Sequence, residues 1–272
     1  MLTTVPPASA RAPSRYGARQ PSRLMRATAL SATNLQRLST LMAVHLWRGL
    51  TSLAVSLKTL LTHSLPAPLP GILVVVEGQN DVEFLRRISR ILHAEDPVLP
   101  DLVDMERQGG MIFVPFGGGD SRPWAFRLAG LGRAQFHLYD RDVPPATEAR
   151  QLAADIVNWR PNCRAFLTRK RSLENYLHGD AIFEASGIRV EFCDDDNVAD
   201  LVARHVYERH EGHLPWQELP ARARKRLRGK AKQWLNTRAT DRMTPERLAR
   251  QDPDGEVRSW LTTIVQLARN WS

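Results

Sequence analysis

The run Ile72-Leu73-Val74-Val75-Val76, followed at once by Glu77 and Gly78, constrains this chain more than any other stretch. Five consecutive aliphatic residues leave no polar face, so they predict a short strand buried on both sides, as inside a parallel sheet. From Asp81 the apolar residues Val82, Leu85, Ile88 and Leu92 recur at helical spacing, so strand passes into helix across the glycine. Glu77 therefore marks a strand's carboxyl end, beyond which ligands bind in sheets of this kind.

The same unit recurs. A second apolar run, Met111 to Phe116, ends in Gly117-Gly118-Gly119-Asp120, and a helix carrying Trp124, Phe126, Leu128 and Leu131 is expected after it. A third run, Ala134 to Tyr139, ends in Asp140-Arg141-Asp142, and Pro144-Pro145 turns the chain into a helix over residues 146–159. Cys163 to Thr168 reads as a fourth strand, and Arg171 to Leu177 as a short helix or turn. Strands alternating with helices predict right-handed βαβ crossovers and an α/β fold with a mainly parallel sheet. Glu77 and the Asp140/Asp142 pair then fall on one sheet edge and can converge.

Charge divides the chain unevenly. The net charge of +9 arises almost wholly before Glu77, where eight Arg and Lys residues meet no Asp or Glu. Residues 1–69 read as a basic extension, disordered to about residue 32 and then forming one amphipathic helix over 34–62, which Pro66, Pro68 and Pro70 terminate. The acid-free, Arg- and Ser-rich start also has the composition of an organellar transit peptide, against which an unstructured tail or an upstream extension is favoured. His45, Arg48 and Lys58 make the leucine stripe too polar for a membrane span, so no membrane contact is expected. Residues 70–192 are expected to form the α/β domain and 193–272 a helical basic subdomain. Cys163 and Cys193 suggest neither a disulfide framework nor a zinc site, and a cytoplasmic location is expected.

Glu77, Asp140 and Asp142 offer hard oxygen donors suited to Mg²⁺ or Mn²⁺, with no His or Cys beside them to favour zinc. Two such ions can activate water and stabilise the leaving oxygen of a phosphodiester. The basic run Arg222, Arg224, Lys225, Arg226, Arg228, Lys230 and Lys232, flanked by Trp216 and Trp234, reads either as a solvated helix face or as a phosphate-contacting surface. The tryptophans could stack on unpaired bases. Packing within the helical region is the favoured reading for them.

Glu77-Gly78 with Asp81 after a hydrophobic strand, a glycine loop, and Asp140-Arg141-Asp142 after another strand resemble the TOPRIM domain of topoisomerases, primases and several nucleases. Ser172-Leu173-Glu174-Asn175-Tyr176-Leu177 is similar to the Glu-Asn-Tyr motif of the overcoming-lysogenization-defect (OLD) family of endonucleases. The resemblance covers residues 70–180. It implies a Rossmann-like sheet, a Mg²⁺-dependent DNA endonuclease with a two-metal centre, metal-binding acids at Glu77, Asp81, Asp140 and Asp142, and a further catalytic acid at Glu174. Lys170 or Arg169 is a candidate for stabilising phosphate charge. Full-length OLD nucleases also carry an ATPase, yet no G-x-x-x-x-G-K-[ST] loop occurs here, so the expectation is either a free-standing TOPRIM protein or an ATPase supplied by another chain. Val143 and two prolines stand where many relatives have glycine or small polar residues, a departure that bears on the second metal.

Other acids and histidines receive plainer readings. Glu83 and Glu106 are expected on the solvated surface. Asp194-Asp195-Asp196 is expected to cap the helix that follows, and His205, His210 and His213 to serve surface or packing roles. A non-catalytic nucleic-acid-binding or regulatory subunit with the same fold is the alternative to a nuclease. A primase- or topoisomerase-like activity is disfavoured, because the chain has no zinc module or accompanying tyrosine domain.

Overall fold

The computed structural model describes residues 70–209 and 214–269, so the expectations for residues 1–69, His210 and His213 lie outside the described residues. Four strands form as expected: β1 (Ile72–Val76), β2 (Met111–Pro115), β3 (Ala134–Tyr139) and β4 (Cys163–Leu167). All neighbours pair in parallel, in the order β2-β1-β3-β4. The chain moves from β1 outward to β2 and then returns to the other side of β1. That reversal opens a crevice between β1 and β3 at their carboxyl ends.

Helix α1 (Gln79–Glu95) and the short α2 (Leu102–Arg107) connect β1 to β2. α3 (Trp124–Arg127) and a 3₁₀ turn at Ala129–Leu131 precede β3, and α4 (Ala146–Asn158) joins β3 to β4. The helix expected around Trp124 is therefore a single turn. Gly130 and Gly132 follow it, Gly132 with φ +58°, and Phe126 and Leu131 stay exposed. After β4 come a 3₁₀ turn at Leu173–Tyr176, α5 (Gly179–Ser186), α6 (Val198–Glu208), α7 (Ala221–Trp234), a π-helical turn at Leu235–Ala239, α8 (Pro245–Gln251) and α9 (Glu256–Arg269).

The pleat sorts the core into two faces. Ile72, Val74 and Val76 of β1 join Ala134, Phe136 and Leu138 of β3 in a large core with Phe84, Leu85 and Ile88 of α1 and Val257, Trp260 and Ile264 of α9. Val75 and Tyr139 face the other way, onto Phe116 and onto Ala153, Ala154 and Val157 of α4. All five β1 residues are buried, which explains why the strand reads as a continuous aliphatic run. Each such side chain contributes about 1.5–3 kcal/mol on burial. The α/β architecture with a parallel sheet and C-terminal helices is thus what the chain forms. No helix among the described residues is long and apolar enough to cross a membrane.

Candidate metal centre

Glu77 leaves β1 at the crevice and is held by the glycine loop after β2. The amides of Gly117 and Gly118 donate to its carbonyl at 2.9 and 3.0 Å. Gly117, Gly118 and Gly119 have φ of +84°, +76° and +79°, a left-handed run that glycine alone adopts without strain. A Cβ on Gly118 would lie 3.5 Å from Glu77 Oε1, so the loop wraps closely over this acid. Asp81 stands in the first turn of α1, where its Oδ2 accepts from the Gly78 amide at 2.8 Å. Its other oxygen, Oδ1, is buried and accepts no hydrogen bond.

β3 delivers the next pair. Asp140 is 8% exposed, and its Oδ1 accepts from the Leu173 amide at 3.2 Å. At Asp142 the backbone turns left-handed, with φ +55°, which Asp tolerates better than most residues, and its amide donates to the Arg171 carbonyl at 2.8 Å. Glu174, 2% exposed, enters from the 3₁₀ turn beside β4. Ser172 Oγ donates to its Oε2 at 2.7 Å and Asn236 Nδ2 donates to its Oε1.

Two cationic side chains divide these five acids into two groups. Lys232, from the last turn of α7, places Nζ 3.4 Å from Asp140 Oδ2, 3.7 Å from Glu174 Oε1 and 3.8 Å from Asp81 Oδ1. Arg150, from α4, donates from Nη2 to Glu77 Oε2 at 2.9 Å and lies 3.2 Å through Nη1 from Asp142 Oδ2. The same Nη1 donates to the Asp140 carbonyl at 2.9 Å, so one guanidinium ties β1 to β3. Arg171 Nε lies 3.7 Å from Asp142 Oδ1.

The electrostatics follow from this crowding. Burial pushes the Asp81 carboxyl up to about 6 against the lowering pull of Lys232, with Glu174 and Glu77 pushing the same way as burial. Burial likewise raises Asp140 well above the usual carboxylate range, helped by Asp81, Glu174 and Glu77 and opposed by Lys232. At Lys232 burial works against the ammonium, but Glu174, Asp140, Asp81 and Glu77 outweigh it and hold the pKa well above the ordinary lysine value. The acids are thus short of positive charge, and Lys232 is strongly retained as a cation.

No family model matches the chain, and no curated protein matches it either. It is similar to solved structures of one protein. The C-terminal region of the Xanthomonas campestris pv. campestris OLD protein, phased with iodine, superposes with a TM-score of 0.44 and 14% identity, covering 75% of this chain and 98% of that one. The same region phased with platinum gives a TM-score of 0.42 at 14% identity, covering 74% and 94%. At this similarity the likeness assigns no residue and no activity to this chain.

Among the described residues no three acidic, His or Cys side chains stand ready-made as a metal site. The donor set nevertheless fits a hard cation. It consists of carboxylate oxygens alone, one of them the orphaned Asp81 Oδ1, and three of its acids already surround a positive charge.

From the sequence, Lys232 is placed only among the phosphate-contacting bases, and Arg150 is not singled out. Lys170 pairs with Asp194 and Arg169 with Asp254, so neither candidate makes a pair with the site's acids; Lys232, Arg150 and Arg171 make those pairs. A signal for Arg150 was present, since it shares a helix face with the buried Ala153, Ala154 and Val157, where a charged residue is out of place. Lys232 carries no such signal among its basic neighbours. The capping expectation for Asp194, Asp195 and Asp196 is corrected: Asn197 caps α6 by accepting from the Asp200 amide, while the three aspartates bind Lys170, Arg141 and the Cys193 amide. Glu83 and Glu106 are only partly exposed and are ion-paired, Glu83 with Arg86 and Arg87 and Glu106 with Arg86. His205 lies exposed against the Leu201 carbonyl. Trp216 is buried, and Trp234 packs against the core.

Proposed function

We propose that this chain is a divalent-metal-dependent nuclease that hydrolyses phosphodiester bonds in DNA. The observation that carries the reading is the convergence of Asp81, Asp140 and Glu174 on one cation position at the β1/β3 crevice. In place of the ammonium, these three carboxylates would hold Mg²⁺ or Mn²⁺, which when bound activates water and stabilises the leaving oxygen. Ser172 and Asn236 orient Glu174, and the Gly78 and Leu173 amides orient Asp81 and Asp140. Lys232, on an unbranched stem, remains at the mouth as a point charge for a phosphate oxygen. Arg222, Lys225, Arg226 and Lys230 of α7 are exposed and serve as backbone contacts, with an ATPase on a separate chain as the candidate partner.

Purified full-length protein is expected to nick plasmid DNA with Mg²⁺ or Mn²⁺ and to lose this activity with EDTA. Asp140→Asn removes a buried carboxylate while keeping an acceptor for the Leu173 amide. It should therefore reduce cleavage by at least about 100-fold, some 2.7 kcal/mol of transition-state stabilisation, without lowering the thermal midpoint. Residual wild-type cleavage in Asp140→Asn would sink the assignment.

One observation favours the alternative of a non-catalytic nucleic-acid-binding subunit: Lys232 and Arg150 already neutralise much of the acid cluster. On that reading DNA binding persists in Asp140→Asn, and no divalent ion elicits cleavage.

A further inference from the structure

We infer that the centre takes a single divalent ion, with the Arg150 guanidinium standing permanently where a second would sit. This inference rests on the metal-dependent reading above. It departs from the two-metal arrangement that the sequence resemblance implies.

The two cations inside the acid cluster are held very differently. Lys232 makes one long hydrogen bond, 3.4 Å to Asp140 Oδ2, and lies 3.7 and 3.8 Å from Glu174 and Asp81, on an unbranched stem that is 27% exposed. A divalent ion can displace it outward without breaking any backbone contact. Arg150 is 9% exposed and makes contacts of 2.9, 2.9 and 3.2 Å to Glu77, the Asp140 carbonyl and Asp142. Its planar fork spans the two strand ends and holds all three contacts at once.

The acids divide accordingly. Asp81, Asp140 and Glu174 face the displaceable ammonium, and Asp81 Oδ1 there accepts no hydrogen bond. Glu77 and Asp142, which a second ion would need, are engaged by Arg150, and Asp142 also faces Arg171 at 3.7 Å. The Asp142 carboxylate meets Arg150 and Arg171, whereas that of Asp140 meets Lys232.

The test is to titrate the full chain with Mn²⁺, counting bound ions by calorimetry and recording the electron paramagnetic resonance spectrum. One Mn²⁺ per chain with an uncoupled spectrum is expected. Arg150→Met should admit a second ion and bring Mn–Mn coupling into the spectrum. Asp142→Asn should change Mn²⁺ affinity by less than about threefold, whereas Asp140→Asn should weaken it by more than about tenfold. Two coupled ions in the unaltered chain, or a large loss of affinity in Asp142→Asn, would overturn the inference while leaving metal dependence intact. Absence of bound Mn²⁺ in the unaltered chain would overturn both. Should Arg150→Met fail to fold, the ion count of the unaltered chain and the Asp142→Asn affinity decide.

Discussion

His137 shows that alternating polar and apolar residues need not mark a solvated strand face. In the sequence, Gln135, His137 and Tyr139 alternate with Ala134, Phe136 and Leu138, the period of a strand with one wet face. All six are buried. The polar three satisfy one another: the Tyr139 hydroxyl donates to His137 Nδ1 at 2.8 Å, and His137 Nε2 donates to Gln135 Oε1 at 3.0 Å. Burial, with the nearby Arg160 charge, pushes the His137 pKa down from 6.5 to about 3. The folded chain therefore binds fewer protons at this site than the unfolded chain, and stability rises with pH. The contribution is complete above pH 6.5 and is lost as pH falls from 6.5 towards 3, at up to about 1.4 kcal/mol per pH unit. Urea midpoints measured from pH 7 to pH 4 should fall more steeply for the unaltered chain than for His137→Gln. Parallel slopes would show that the ring does not titrate as described.

At the scale of elements, the Glu-Asn-Tyr turn and helix α7 carry most of what distinguishes this site. The three motif residues each reach a different partner. Glu174 joins the acid cluster, Asn175 Nδ2 donates to the Cys193 and Asp196 carbonyls, and the Tyr176 hydroxyl donates to Glu256 at the start of α9. The motif was legible as a string, but its knitting of the post-β4 loop to α9 spans up to 80 residues of chain and was not. In α7 the seven bases look equivalent in sequence. Packing against α6 and the turn after α7 separates them: Lys232 turns to the acids, Arg228 faces Asp200 at 3.6 Å, Arg224 is half-buried, and Arg222, Lys225, Arg226 and Lys230 remain exposed. Charge removal should sort them the same way. Lys225→Gln and Arg226→Gln should each weaken DNA binding and lower the salt slope by about one, whereas Lys232→Gln should depress cleavage more than binding. Equal effects of all three on binding alone would place Lys232 with the surface bases.

Over the whole molecule, the sheet and the C-terminal helices share one apolar core. Trp260 of α9 is fully buried and meets the Tyr176 ring edge-on at 5.3 Å, in the same cluster as Ile72, Val74 and Phe136 of the strands. Trp260→Ala should cost about 3–5 kcal/mol. Because the core is shared, circular dichroism and intrinsic fluorescence should report one unfolding transition at a lowered midpoint. Two separated transitions would show that the helices fold apart from the sheet. Aliphatic runs, glycines and acids were enough in the sequence to specify four strands, their parallel pairing and the carboxyl edge where the acids gather, because those properties follow from local periodicity and from the handedness of βαβ crossovers. Which cation each acid meets was decided only by the tertiary structure. Lys232 lies 92 residues from Asp140 and Arg150 lies 73 from Glu77, and no local pattern fixes which side chains two distant helices will lay into the same crevice.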